Sequence, residues 1–244
     1  MKKRAILFAG GVDSQYNFPR YENDLRLAYS VLLEKLNYYR DDISIFLGYG
    51  KPMVYNDQKI KTHIAYKNLL INELDAMSKE LGEEDCLVLV VSNHGAEGPF
   101  INMWGSEYLS LDEFEVLIKE IKAKKLLIMG QCYGGDFSNL KLDNTCIITA
   151  NQPNLVSYAH YPDNKYDEFL YLFFSFLYGE YPDTSFIIEK AEKDIGKAFA
   201  FAYENDQYNP HGICYNSHLK IDGNNLVECP VIKNNIENIN IFIQ

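Results

Sequence analysis

Arginine is nearly missing from this chain: there are four, Arg4, Arg20, Arg26 and Arg40, and none beyond position 40. Any later site that needs a guanidinium must borrow one of these. Basic residues are in deficit overall, 23 Lys plus Arg against 34 Asp plus Glu, for a net charge of −11. That balance lacks the basic stripe that tracks a phosphate backbone and argues against nucleic acid as a partner. No apolar run approaches the roughly 18 residues of a membrane helix, so no membrane partner is expected. Met1-Lys2-Lys3-Arg4 leads straight into a strand-like run with no small-residue cleavage site. A cytoplasmic location is therefore the expectation. The five cysteines are odd in number, irregularly spaced and free of any CxxC pair, which indicates neither a disulfide framework nor a zinc knuckle. His63, His160, His211 and His218 show no metal-ligand spacing, and Gly10-Gly11 runs into Val12-Asp13, not into a phosphate-binding lysine. No cofactor or metal is expected.

What is there is an ordinary globular composition, 47% hydrophobic and 23% charged over 244 residues. Residues 4–9 form a short apolar run that ends at Gly10-Gly11. Residues 22–38 switch to helical spacing, with Leu25, Ala28, Leu32 and Leu36 on one stripe. Ile43–Leu47 reads as a strand, then a polar loop containing Pro52 and Asn56, then a helix over about 62–81. Asp85–Ser92 is solidly apolar, as a strand buried on both faces would be. A short hairpin is expected through Phe100–Leu109, and Ser110-Leu-Asp-Glu113 predicts a capping box that opens a helix to about 122. Strands at Leu126–Met129 and Thr145–Thr149, helices near 166–178 and 184–204, and a hairpin about Asp222-Gly223 complete the pattern. The order β-α-β-α-β-α-β-β predicts an α/β fold with a mostly parallel sheet and helices on both faces. With no internal repeat or linker, residues 1–244 read as one domain.

In such sheets the working crevice lies beyond the carboxyl ends of the strands. Val91-Ser-Asn-His94-Gly95 puts an imidazole there, and Met129-Gly-Gln-Cys132-Tyr-Gly-Gly135 puts a thiol past the following strand, 38 residues later. A right-handed crossover sets these strands side by side, the arrangement a cysteine nucleophile and its proton-transfer partner need. The glycines allow close approach of a substrate carbonyl, and the N–H groups of Gly95 and Cys132 are candidates for an oxyanion hole.

With these segments the sequence resembles the caspase-like cysteine peptidases, and within them the legumain family of asparaginyl endopeptidases and the catalytic subunit of GPI transamidase. Tyr16-Asn17-Phe18-Pro19-Arg20, then Asp24 and Ala28-Tyr29, resemble the family's Tyr-Asn-Tyr-Arg stretch and the helix after it, with one extra residue. Thr149-Ala-Asn-Gln-Pro153 and Ser157-Tyr-Ala159 resemble its Thr-Ala-Ala-Asn-Pro and Ser-Tyr-Ala. The resemblance implies a caspase-like three-layer αβα sandwich and hydrolysis of peptide bonds in a protein or peptide substrate through an acyl-enzyme. It makes Cys132 the nucleophile, His94 the general acid/base, and Asn17 the residue that orients the histidine. Arg20 and Ser157 would line the pocket for the side chain preceding the scissile bond (P1), with Gln131 beside the cysteine and Asp183 a looser candidate. P1 would be Asn or Asp.

The departures are specific. Gly130 stands where family members commonly carry an acidic residue two before the cysteine, and Asn93 where an aspartate often precedes the histidine. No later arginine exists to build a two-arginine, caspase-type aspartate pocket. A propeptide or inhibitory domain is not expected in 244 residues. Control would then fall to a regulatory protein partner, a loop rearrangement or a missing stimulus; the oligomeric state is open. Two alternatives stand beside the peptidase reading. One is a catalytically silent binding module on the same fold. The other is a Cys-dependent amidotransferase or transamidase, since Gly130-Gln-Cys132-Tyr-Gly134 also fits a glutamine-amidotransferase elbow, although no downstream histidine is followed closely by a glutamate.

Overall fold

The computed structural model describes residues 1–184, 186–209 and 227–244. Strand β1 (Lys3–Ala9) explains the layering. Successive side chains of a strand face opposite ways, and here both sets are apolar. Ala5, Leu7 and Ala9 enter one core, while Ile6 and Phe8 enter another. Such a strand is stable only between two covering layers.

Numbered in chain order, β2 (Ile43–Leu47), β5 (Cys86–Val91), β8 (Lys124–Met129), β9 (Thr145–Thr149) and β10 (Val231–Asn234) join β1 in one sheet, in the order β10-β9-β8-β5-β1-β2. Every pairing is parallel except that of β10 with β9. Helices α1 (Pro19–Glu34), α4 (Glu168–Tyr178) and α5 (Ile195–Asn205) pack on the Leu7 face. Helices α2 (Lys67–Glu80) and α3 (Leu111–Lys119) pack on the Phe8 face. The result is a three-layer αβα sandwich, as the alternation of periods predicts.

Local chemistry sets the boundaries. Pro19 opens α1 at a position where its missing N–H costs nothing. Ser110 and Glu113 form the expected capping box of α3. Asp167 caps α4 by accepting from Leu170 N, and Gly179, in the left-handed region, ends it. The helix expected over 184–204 starts only at Ile195, because Asp194 caps it by accepting from Lys197 N. The polar loop after β2 holds a hairpin, β3 (Met53–Tyr55) with β4 (Gln58–Ile60). Its turn residues Asn56 and Asp57 both have positive φ, a primed-turn signal that the sequence reading passed over. The hairpin expected about Asp222-Gly223 lies outside the described residues. Cys86 and Cys146 are free and buried in β5 and β9, whereas Cys229 is disulfide-bonded, which its spacing did not indicate.

Replacing Ser110 by Ala removes the side-chain half of the α3 cap and is expected to cost about 1 kcal/mol. Urea unfolding should show a lower midpoint at an unchanged slope.

Candidate active site

Strands β5 and β8 run parallel with Val91 opposite Met129. His94 and Cys132 each lie three residues beyond that pair, so the register alone brings them to one level at the sheet's carboxyl edge. The loops then touch backbone to backbone: a Cβ at position 95 would overlap the carbonyl of Cys132. Only glycine permits this approach. The N–H groups of Gly95 and Cys132 donate to no acceptor among the described residues.

The segment after the thiol turns back sharply, with Tyr133 in the left-handed region at φ 58°. Its shape is held by fully buried Asn151. That amide accepts from Gly135 N at 2.9 Å and donates to Gln131 O at 3.0 Å, while Tyr133 N reaches Leu155 O at 2.8 Å. The sequence reading placed Asn151 in a motif without giving it a task.

His94 is positioned through its backbone. Its N–H donates to Asn93 Oδ1 at 2.9 Å, and its carbonyl accepts from Asn102 Nδ2 at 2.7 Å. Asn93 Oδ1 also takes Gly11 N, and its amide donates to Asn102 O at 2.6 Å. Asn102 belongs to the hairpin β6 (Phe100–Asn102) with β7 (Tyr108–Ser110). One buried amide thus ties β1, β5 and this hairpin together. An ionised aspartate could not make the donation to Asn102 O.

The imidazole stacks on Tyr16 with ring centroids 5.5 Å apart and meets the edge of Phe18 at 6.2 Å. Burial holds its pKa below the ordinary value, with help from the Arg20 charge. Asn17, expected to orient this ring, makes no hydrogen bond to it among the described residues; its amide lies against Gly11 and Gly48.

On the far side of the thiol, Cys132 Sγ lies 3.4 Å from Ser157 O, and Ser157 Oγ is 3.8 Å from the sulfur while donating to Gly130 O. Arg20 lies over the rings of Phe18 and Tyr21, at 4.7 and 5.0 Å. It has no carboxylate at ion-pair distance among the described residues. Glu22 is taken by Arg26 and Lys51, and Asp24 is buried against Ser92. The Arg20 charge bears on His94, Tyr21, Asp24 and Asp167.

Two expected pocket residues lie elsewhere. Gln131 is buried and donates to Phe100 O at 2.8 Å, so it braces the hairpin. Asp183 sits in an exposed turn after α4, where its charge acts on Lys165, Tyr166 and Tyr171. The carboxylates within the field of Arg20 are instead Asp24 and Asp167, the latter the cap of α4. Sequence could have found Asp167 as the capping residue before the apolar helix. The acidic residue missing at Gly130 also has a steric reason, since a Cβ there would overlap Leu170 of the same helix.

Behind Arg20 lies a group of buried carboxyls: Asp24, Asp167, Glu168, Asp206 and Glu228. Burial pushes Asp24 and Asp206 up to about 7 and raises Asp167 and Glu228 well above the usual range. For Asp167 the neighbouring Asp24 charge adds to burial, and for Glu228 those of Asp167 and Asp206 do. Glu168 is met by His160 Nδ1 at 2.5 Å and by Gln207.

An αβα sandwich with a cysteine and a histidine at neighbouring strand ends on the carboxyl edge of a mostly parallel sheet has the architecture of the caspase-like cysteine peptidases. The crystal structure of caspase-1 from Spodoptera frugiperda is similar with a TM-score of 0.56 over 95% of this chain and 86% of that one, at 14% identity, which is a likeness of fold. Residues 47–207 match the peptidase C13 family, a span that holds His94, Cys132, Ser157 and Asp167 but not Asn17 or Arg20. The chain belongs to the peptidase C13 family. No curated protein matches the sequence.

Two predictions follow from this geometry. Asn93→Asp should replace the donation to Asn102 O with repulsion, costing about 1–3 kcal/mol in stability; thermal melts read the loss. The raised carboxyls make the folded state bind more protons than the unfolded chain. Their stabilisation is full below the ordinary carboxyl range and fades as pH rises through about 7. The protein should melt higher at pH 5 than at pH 8. Asp24→Asn, which keeps an acceptor for Asp167 N and turns a donor toward the Ser92 hydroxyl, should narrow that gap by on the order of a few kcal/mol.

Proposed function

We propose that this chain is a cysteine endopeptidase with Cys132 as nucleophile and His94 as general acid/base. The observation that carries the reading is the contact of Gly95 with the Cys132 backbone, where the N–H groups of both residues have no acceptor among the described residues. The sulfur attacks the carbonyl of the scissile peptide bond, and the developing oxyanion accepts from Gly95 N and Cys132 N. The imidazole takes the thiol proton as the sulfur attacks and passes it to the leaving amine as the C–N bond breaks. It then takes a proton from the water that opens the thioester and returns it to the departing sulfur. The thiol points at Ser157 O in the free protein and has to swing toward the substrate, as catalytic hydrogen bonds commonly do on binding.

The P1 pocket of this reading is formed by Arg20, Tyr21 and Ser157, with Asp167 and Asp24 behind. Arg20 supplies donors to a side-chain carbonyl. The neighbouring carboxyls, held partly protonated by burial, can both donate and accept. That combination suits Asn or Asp and disfavours Lys and Arg, whose charge would lie against the guanidinium.

Matched peptides with Asn, Asp, Arg and Leu at P1 test this reading. Cys132→Ala should bring cleavage to background, and His94→Ala should lower kcat/KM at least about 100-fold, with folding retained in both. Since the imidazole titrates below its ordinary value, the acid limb of kcat/KM should fall below pH 6.5. Activity retained in the Cys132 variant would refute the nucleophile, and a preference for Arg would refute the pocket.

A further inference from the structure

We propose a binding site for a phosphorylated sugar or polyol at the amino-terminal edge of the sheet, the edge opposite the thiol. The inference stands apart from the peptidase reading and does not depend on it. A cavity of about 360 Å³ lies where the end of α3, the start of β8, the segment leading into β9 and the loop before β5 converge. Its charged lining is Lys119, Lys122, Lys125, Lys141, Glu83 and Asp143. Lys125 and Cys132 are seven residues apart along and beyond β8. That is on the order of 20 Å for an extended chain, so the cavity is no part of the catalytic crevice.

Lys125 sets this cavity apart from a surface hollow. On β8, Leu127 and Met129 enter the core of the Phe8 face, and the period of two puts Lys125 on the same side. It is only 3% exposed, and its ammonium donates to Ile121 O at 2.8 Å and Ala123 O at 3.0 Å. An ammonium carries three N–H groups, so two carbonyls leave one donor over. They also leave the charge unmatched. No carboxylate stands at ion-pair distance among the described residues, and Asp143 acts on Lys125 only through its field. Burial pushes the pKa of this amine down to about 8. A buried cation without a counter-ion is costly, and an anion in the cavity offsets that cost.

The rim narrows the choice of anion. Lys119 is held by Glu115 at 2.8 Å, whereas Lys122 and Lys141 are exposed and have no ion-pair partner among the described residues. Three uncommitted ammonium groups thus surround one cavity in a chain of net charge −11. None of the four arginines lines it, so it lacks the planar fork that favours a carboxylate. Point charges suit the oxygens of a phosphate. Glu83 and Asp143, both exposed, would repel a bare phosphate, but as acceptors they suit hydroxyl groups on the same ligand. Lysines for a phosphate beside carboxylates for hydroxyls specify a phosphorylated polyol. The volume falls within the small-molecule range, which begins near ~300 Å³.

Isothermal titration calorimetry on the whole chain at fixed ionic strength tests the site. The probes are inorganic phosphate, the neutral compounds glucose, ribose and glycerol, and glucose 6-phosphate, ribose 5-phosphate and glycerol 3-phosphate. At least one of the three phosphorylated compounds should bind with a Kd about 10-fold or more below that of inorganic phosphate, and the neutral ones should give no heat of binding. Lys122→Gln combined with Lys141→Gln should raise that Kd by about 10- to 100-fold. Lys61→Gln, at an exposed lysine that does not line the cavity, should leave it unchanged. Glu83→Ala combined with Asp143→Ala should bring the Kd to within about threefold of that for inorganic phosphate. Lys125→Met should abolish binding; if that variant fails to fold, the exposed rim variants decide the matter. Three results overturn the site: no phosphorylated compound bound more tightly than inorganic phosphate, a Kd unmoved by the rim lysine pair, or equal weakening by Lys61→Gln. None of them bears on peptide cleavage.

Discussion

Two backbones meet at Gly95 and Cys132, and the rest of the site is arranged around that contact. A side chain on residue 95 would force β5 and β8 apart at their carboxyl ends. With glycine there, the paired register of Val91 and Met129 carries through to the reacting groups. Two buried amides then lock the loops on either side. Asn93 gathers the β1 loop, the histidine backbone and the β6–β7 hairpin, and Asn151 fixes the turn after the cysteine. Both use donor and acceptor at once, which a carboxylate in the same place cannot do. The Cys132 and His94 side chains themselves make few bonds.

The second constraint is electrostatic. The chain carries few arginines, and the one at the site is left without a carboxylate partner at ion-pair distance among the described residues. Its charge is matched instead by carboxyls set deeper in the protein, at the cap of α4 and along α1. Burial keeps these groups short of full ionisation near neutral pH. The same Arg20 charge adds to burial in lowering the proton affinity of His94.

Much of this was legible in the linear sequence, for identifiable reasons. The doubly apolar β1 and β5 required two covering layers, and the shift between periods of two and 3.6 located the helices that supply them. The placement of His94-Gly95 and Cys132 followed from strand ends and crossover handedness. The capping box of α3 and the strand Thr145–Thr149 emerged as read, because each is specified by neighbouring residues. The β3–β4 hairpin was missed although Asn56-Asp57 signals it, and the start of α5 was set too early where the cap Asp194 outweighs general helical composition.

By itself, then, the sequence determined the layers, the strand ends and the residue types that stand there. The tertiary structure decided which way each side chain faces and which distant groups share one field. Asn17 lies against Gly11 and Gly48, while its neighbours Tyr16 and Phe18 meet the imidazole. Gln131 is drawn inward to Phe100, and Asp167, with Asp24, takes the place by Arg20 that Asp183, nearer the end of the chain, cannot reach. A Cβ at Gly130 would overlap the side chain of Leu170, forty residues later. These outcomes depend on contacts between α1, α4 and the loops of β5 and β8. Only the packed sandwich brings those segments together.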